Sequence, residues 1–172
     1  MEIGLNLGCG GVRIPDTNGV HFINVDTRTD VAADVILDCT KTLPYETGTI
    51  SVIISEHMLE HLPRLVFPVA LKEWFRVLKS GGTIIIEVPN FDGTVKEYLE
   101  AVANNDIKKM DQRIENVYGR QFFEGDQHCW GFNLFRLKRA LESVGFTDVE
   151  EMTNYSYHAT EEPCVKVIAR KP

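Results

Sequence analysis

Leu5-Asn6-Leu7-Gly8-Cys9-Gly10-Gly11, followed by Phe22-Ile23-Asn24-Val25-Asp26, decides the fold. A short apolar run breaks into glycines, and a second apolar run ends on a carboxylate. In a parallel α/β sheet this pattern sets a glycine turn beside an acidic side chain at the carboxyl ends of adjacent strands. That is where nucleotide-like ligands bind in open sheets. Glycines let the backbone approach a ligand closely, and a carboxylate can accept from both hydroxyls of a ribose.

The 172 residues suffice for one domain with a full core and are too few for two ordinary ones. No apolar run approaches bilayer length, and no basic n-region with an apolar h-region opens the chain, so neither membrane insertion nor a signal peptide is expected. Cys9, Cys39, Cys129 and Cys164 are widely spaced without a C-x-x-C pair. That pattern disfavours disulfides and a zinc finger and points to the cytoplasm. The net charge of −7 repels a nucleic-acid backbone, and Lys and Arg form no run.

Around the opening stretch, the spacing predicts short buried strands at Ile3–Leu7, Phe22–Val25, Ala33–Leu37, Ile50–Ile54 and Thr83–Val88. Val69, Leu71, Trp74, Phe75 and Leu78 recur at helical spacing, with Pro68 in the first turn and Ser80-Gly81-Gly82 as the stop. Phe91–Phe132 is less regular, with helical fragments at Val95–Val102 and Ile107–Val117. A helix over Asn133–Val144 has Asn133 as N-cap and Gly145 beyond its end. Asp148–Met152 and Val165–Ala169 read as final strands. The short link between them, Thr153–Pro163, predicts an antiparallel last strand.

Four segments, in this order, resemble the class I S-adenosylmethionine-dependent methyltransferases, in particular a small type-11-like group often found among polysaccharide-biosynthesis proteins. They are Leu5–Gly10, Asn24-Val25-Asp26, the Asp38 to Leu43-Pro44 stretch with Ser55-Glu56-His57-Met58-Leu59-Glu60-His61, and Arg76-Val77-Leu78-Lys79-Ser80-Gly81-Gly82. The run from Gly131-Phe132 to Gly145-Phe146 looks like the group's ending. The resemblance implies a Rossmann-like α/β three-layer sandwich over residues 1–172. Its seven-stranded, mostly parallel sheet would have the order 3-2-1-4-5-7-6, with strand 7 antiparallel.

By the same resemblance the cofactor would be S-adenosylmethionine. Asn6, Leu7, Gly8, Cys9 and Gly10 would lie under its methionine part, Asp26 and Thr27 at the ribose, Asp38 and Cys39 at the adenine, and Ser55, Glu56 and His57 along the open side. Asp26 also reads as a strand-end cap or turn former, and Asp30 and Asp34 compete with Asp38 for the adenine position. His61 and His128 are the candidate bases for an acceptor hydroxyl, and each also reads as a structural or loop histidine. His57 and His61 stand four apart and would share a helical face with Glu56 and Glu60 nearby. Spacing places no third ligand and the order is not H-E-x-x-H, so no metal is expected.

Two departures from the family pattern stand out. Only Gly11–His21 separate the glycine turn from the second strand, with Pro15 and Gly19 inside, so the first crossover is too short for its usual helix. The cover that N-terminal helices give in many relatives is expected here to come from a lid-like insertion over Phe91–Phe132, with Tyr118, Phe122, Phe123 and Trp130, to come from a partner subunit in a homodimer, or to be absent. The resemblance thus implies methyl transfer to a hydroxyl of a sugar, a nucleotide-sugar or another small polar acceptor. Two alternatives remain at this point. One is a non-catalytic S-adenosylmethionine-binding scaffold. The other is an NAD-dependent oxidoreductase, which Arg13 opposes because it stands where the dinucleotide fingerprint wants glycine or alanine.

Overall fold

A computed structural model describes residues 1–154 and 156–172. Its strands are β1 (Glu2–Leu7), β2 (Val20–Asp26), β3 (Val35–Ile36), β4 (Ile50–Glu56), β5 (Leu78–Pro89), β6 (Thr147–Glu151) and β7 (Cys164–Arg170). They form one sheet of order β3-β2-β1-β4-β5-β7-β6. The pairs from β3 through β5 are parallel, and β7 runs antiparallel to both of its neighbours. The expected strand order and direction are therefore observed. The helices are α1 (Phe67–Val77), α2 (Phe91–Ala103), α3 (Ile107–Tyr118), α4 (Leu134–Val144) and α5 (Tyr157–Glu161), with a 3-10 turn at Leu59–His61.

The apolar periodicity of α1 buries Ala70, Leu71, Trp74 and Val77, and that of α4 buries Leu137 and Leu141. Leu5, Ile53, Ile84 and Ala169 form one row on the core face of the sheet and are fully buried. Each large apolar side chain removed from water there contributes about 1.5–3 kcal/mol. Trp74 also satisfies its indole N–H by donating to the Cys39 carbonyl at 2.9 Å. Asn133 caps α4 by accepting from Arg136 N, and Gly145 ends it in the left-handed region at φ 116°.

Two expectations shift. The helix before β5 stops at Val77, and β5 starts at Leu78, so Ser80-Gly81-Gly82 lies inside the strand rather than after the helix. Gly81 adopts φ 73° there, and the pairing of β4 with β5 is irregular between Ile50 and Val52. The link Thr153–Pro163 is more than a hairpin loop, because it contains α5; its Tyr155 lies outside the described residues.

The first crossover has no helix, as its length requires, and side-chain amides hold it instead. Asn6 Nδ2 donates to Val12 O and to Asn24 Oδ1, both at 2.9 Å. Asn24 Oδ1 also accepts from Ile14 N at 2.8 Å, and its amide nitrogen donates to Ile14 O and Asp34 Oδ2. Arg13 closes the loop from outside on Ala32 O and Asp34. Hydrogen bonds from the Asn24 backbone, the Arg13 guanidinium and the Asn24 side chain bring the Asp34 pKa down to about 2.

A lowered carboxylate pKa adds stability above its unfolded value of 3.8, and that stability is lost as pH falls toward 2. Asp34→Asn should therefore lower stability at neutral pH by about 1 kcal/mol, the small size reflecting solvent screening at this half-open site. Thermal melts of the two proteins should converge between pH 4 and 2. Parallel curves across that range would contradict the assignment.

Candidate active site

β1 ends in a turn that its own neighbours define. Val25 O accepts from both Gly8 N, at 2.9 Å, and Cys9 N, at 3.0 Å. The Asp26 carboxylate reaches across from β2. Its Oδ2 accepts from Gly10 N at 2.7 Å and its Oδ1 from Arg28 N at 2.9 Å. Gly8 has φ 72°, and a Cβ there would lie 2.3 Å from Met58 Cγ, so glycine is required by both conformation and space. Gly10 has φ 51°, and a Cβ there would meet nothing within 4 Å, so its open side faces the cleft.

The cleft has a volume of about 820 Å³, within the range for small-molecule sites. One wall is the Gly8–Gly11 turn. The opposite wall comes from α3 and the loop after it, with Gln112, Arg113, Glu115, Asn116 and His128. Arg28 lies 3.9 Å from the Phe123 ring centroid and ties the far loop to the strand ends. Carboxylates dominate the lining: Glu56, Glu60, Glu115, Asp126, Glu161 and Glu162 stand against three arginines.

A charged row crosses the sheet beneath the cleft. Glu56, Glu87 and Lys166 are register partners on β4, β5 and β7, and Lys166 pairs with both glutamates. His57 follows β4 at φ 51°, fixed by its N–H donating to Glu87 O at 2.9 Å. Its ring lies 3.3 Å from Glu60 and 3.3 Å from Glu87, beside Cys164, and stacks on His158 with centroids 3.8 Å apart. Burial opposes charge on His57, yet Cys164, Glu60 and Glu87 together push its pKa up to about 12. Burial likewise opposes charge on Glu87, but His57 and a hydrogen bond from Ser156 bring that carboxyl down to about 2. This part of the floor is thus fully ionised at neutral pH.

Of the residues singled out in the sequence, the fold brings Asn6, Gly8, Cys9, Gly10, Glu56, His57, His61 and His128 to the cleft. Leu7, Cys39 and Ser55 turn the other way and are buried in the sheet core or beside it. Burial pushes the Cys39 thiol up to about 12, which marks it as a packing residue. Thr27 is exposed, and Asp38 spends one oxygen on the N–H and hydroxyl of Thr40 as a turn former. Neither lines the cleft. Asp26 is only 7% exposed and acts on the cleft through Gly10.

Glu60, Glu87, Lys166 and Glu162 were not singled out, or only in passing. The signal for two of them was present: Glu87 interrupts the apolar run Thr83–Val88, and Lys166 interrupts Val165–Ala169. A charge inside a buried strand needs a partner, and each is the other's.

A parallel sheet with this strand order, a reversed seventh strand and a glycine turn facing a carboxylate-rich cleft has the class I methyltransferase architecture. The chain belongs to the methyltransferase-domain family, whose model matches residues 5–151. Solved structures agree on the fold. A SAM-dependent methyltransferase from Archaeoglobus fulgidus is 18% identical with TM-score 0.68, the match covering 99% of this chain and 86% of that one. One from Methanosarcina mazei is 17% identical with TM-score 0.64, covering 99% and 92%. Phosphoethanolamine N-methyltransferase 2 of Haemonchus contortus, solved with S-adenosyl-L-methionine, is 15% identical with TM-score 0.62, covering 99% and 49%. No curated protein matches the chain.

Gly8→Ala places a methyl group on Met58 and forces a left-handed alanine, which costs about 1–2 kcal/mol for the backbone alone. The variant should melt several degrees lower, and Met58→Ala in the same chain should recover part of the loss. Equal loss in the single and double variants would count against the contact.

Proposed function

We propose that the chain binds S-adenosylmethionine beside the Gly8–Gly10 turn and methylates a hydroxyl of a sugar, a nucleotide-sugar or another small polar acceptor. The observation that carries this reading is the cleft itself. A glycine turn sits on the strand-end side, a polar wall from α3 faces it, and carboxylates outnumber arginines around the cleft. When bound, the cofactor supplies an electrophilic methyl group on a cationic sulfonium, open to in-line displacement by an acceptor oxygen.

The residues suit that group. The open side of Gly10 lets backbone lie against a ligand, and Asp26 keeps Gly10 N in place. Each Asp26 oxygen retains a second lone pair for a ribose hydroxyl. The surplus of carboxylates favours a cation. Gln112, Glu115 and Asn116 offer donors and acceptors of the kind that read sugar hydroxyls. His61 and His128 receive the acceptor's proton. The Nδ1 of each sits on a backbone carbonyl, which leaves Nε2 as the accepting atom, and burial holds His128 below its usual pKa. Residues 91–132 act as the lid, latched by Arg28 on Phe123. All four cysteines are free thiols, which fits a reducing compartment such as the cytoplasm.

Calorimetric titration with S-adenosylmethionine, S-adenosylhomocysteine and NAD tests the cofactor. Binding of the first two and not the third is expected; NAD alone would reject the reading. Asp26→Ala should weaken methyl-donor binding by about 1–3 kcal/mol, and an unchanged affinity would remove Asp26 from the site. Deleting residues 120–125 should abolish transfer to a sugar or nucleotide-sugar panel while donor binding survives. Donor binding with no turnover on any acceptor in the intact chain would instead indicate a scaffold.

A further inference from the structure

Glu60, His61 and His128 converge. One carboxylate oxygen and one ring nitrogen from each histidine lie within 4.8 Å of one another. His61 and His128 stand 67 positions apart in the sequence, so spacing alone could not supply the third ligand. The fold does so through backbone bonds. Glu60 O accepts from both Cys129 N, at 2.8 Å, and Trp130 N, at 3.1 Å, which draws His128 against the 3-10 turn. The two imidazoles meet edge to face with centroids 4.8 Å apart.

Three observations point to a ligand at this convergence. Glu60 is 2% exposed, and neither carboxylate oxygen has a hydrogen-bond partner among the described residues; only the ion contact of Oε1 with His57 Nδ1, at 3.3 Å, faces it. A buried carboxylate left in that state is costly unless something further binds it. Both histidines are also oriented from behind. His61 Nδ1 lies 3.1 Å from Gln127 O, and His128 Nδ1 lies 2.8 Å from Asn116 O. A carbonyl only accepts, so Nδ1 carries the proton and the Nε2 lone pair is free on each ring. Metal-bound histidines are held in this way, and a ligating carboxylate is commonly held by an outer donor, here His57. Finally, carboxylates outnumber arginines in the cleft lining, with Glu115 and Glu162 among them.

We infer that Glu60 Oε2, His61 Nε2 and His128 Nε2 form a binding site for a divalent transition-metal ion. Two imidazoles and one carboxylate suit Zn²⁺, Co²⁺ or Mn²⁺ and not the all-oxygen preference of Ca²⁺. The set leaves coordination positions open toward the cleft. Resting on the acceptor site proposed above, this reading recasts the histidine pair: an acceptor hydroxyl that takes an open position loses its proton to water, and the electron pair stays on oxygen beside the ion. The neighbouring group of His57, Glu162 and Cys164 is a poorer site, because both ring nitrogens of His57 are already taken up, Nδ1 facing Glu60 and Nε2 facing Glu87, each at 3.3 Å.

The test uses the metal alone, so its outcome is independent of methyl transfer. Zn²⁺ is titrated calorimetrically into chelator-treated full-length protein at pH 7, with Co²⁺ absorption as a second readout. One ion per chain is expected, with a cobalt spectrum lacking a thiolate charge-transfer band. His61→Gln, His128→Gln and Glu60→Gln should each weaken binding by about 100-fold, at or beyond the upper end seen for outer-shell changes. Cys164→Ser should leave it unchanged. Absence of saturable binding by the wild-type chain would overturn the inference. So would a thiolate band, or retention of affinity in folded His61→Gln and His128→Gln variants. The wild-type titration and cobalt spectrum decide the question even if a variant fails to fold.

Discussion

The glycine turn after β1 has to keep its shape without a helix behind it. In a crossover with a helix, the loop's polar backbone groups would be taken up by the first turn. Here Gly11–Gly19 must find partners elsewhere, because a buried N–H or C=O without one is expensive. Asn6 and Asn24 supply them. They sit side by side in the β1–β2 register, on the sheet face that the crossover loop covers, and together serve Val12 and Ile14. Asp26 then fixes Gly10 from the end of the same strand. The site geometry therefore depends on side-chain amides inside a parallel sheet. Such a network works only when nearly complete, since each buried amide left open costs more than one made bond returns.

The same face of the sheet carries a second polar row nearer the strand ends. Glu56, Glu87 and Lys166 could not sit mid-strand among Ile54, Ile85 and Ile168 without burying charge far from any counter-charge. One register step further, they reach each other and His57. Glu87 O holds the His57 N–H, and that bond sets the left-handed bend from which the Leu59–His61 turn departs. The floor of the cleft is thus referenced to the central strands and not to the loops alone.

Most of the fold was legible because its signals are local. Short apolar runs bounded by glycine, the Asn133 cap and Gly145 each act within a few residues, and each predicted strand appears. The start of β5 was not legible. Lys79-Ser80-Gly81-Gly82 reads as a helix stop, and only pairing with Ile50 keeps Leu78 in the sheet. For the site, the glycine turn and Asp26 were readable from their place at strand ends. Which face a residue takes was not. Leu7 and Ser55 lie one position from cleft residues and point into the opposite layer, because side chains alternate along a strand. The partners of Glu60 were beyond any spacing argument, since they arrive on a loop almost seventy residues away.

That loop is also where rigidity and access meet. His128 lies on the segment that forms the far wall, while His61 and Glu60 lie on the strand side. The bonds from Cys129 N and Trp130 N to Glu60 O are what hold the two sides in register. Any displacement of the segment large enough to admit a ligand from that side must stretch or break these bonds and carry His128 with it. Opening the cleft and taking apart the Glu60–His61–His128 set are therefore one motion. The Arg28–Phe123 contact resists it from the opposite rim.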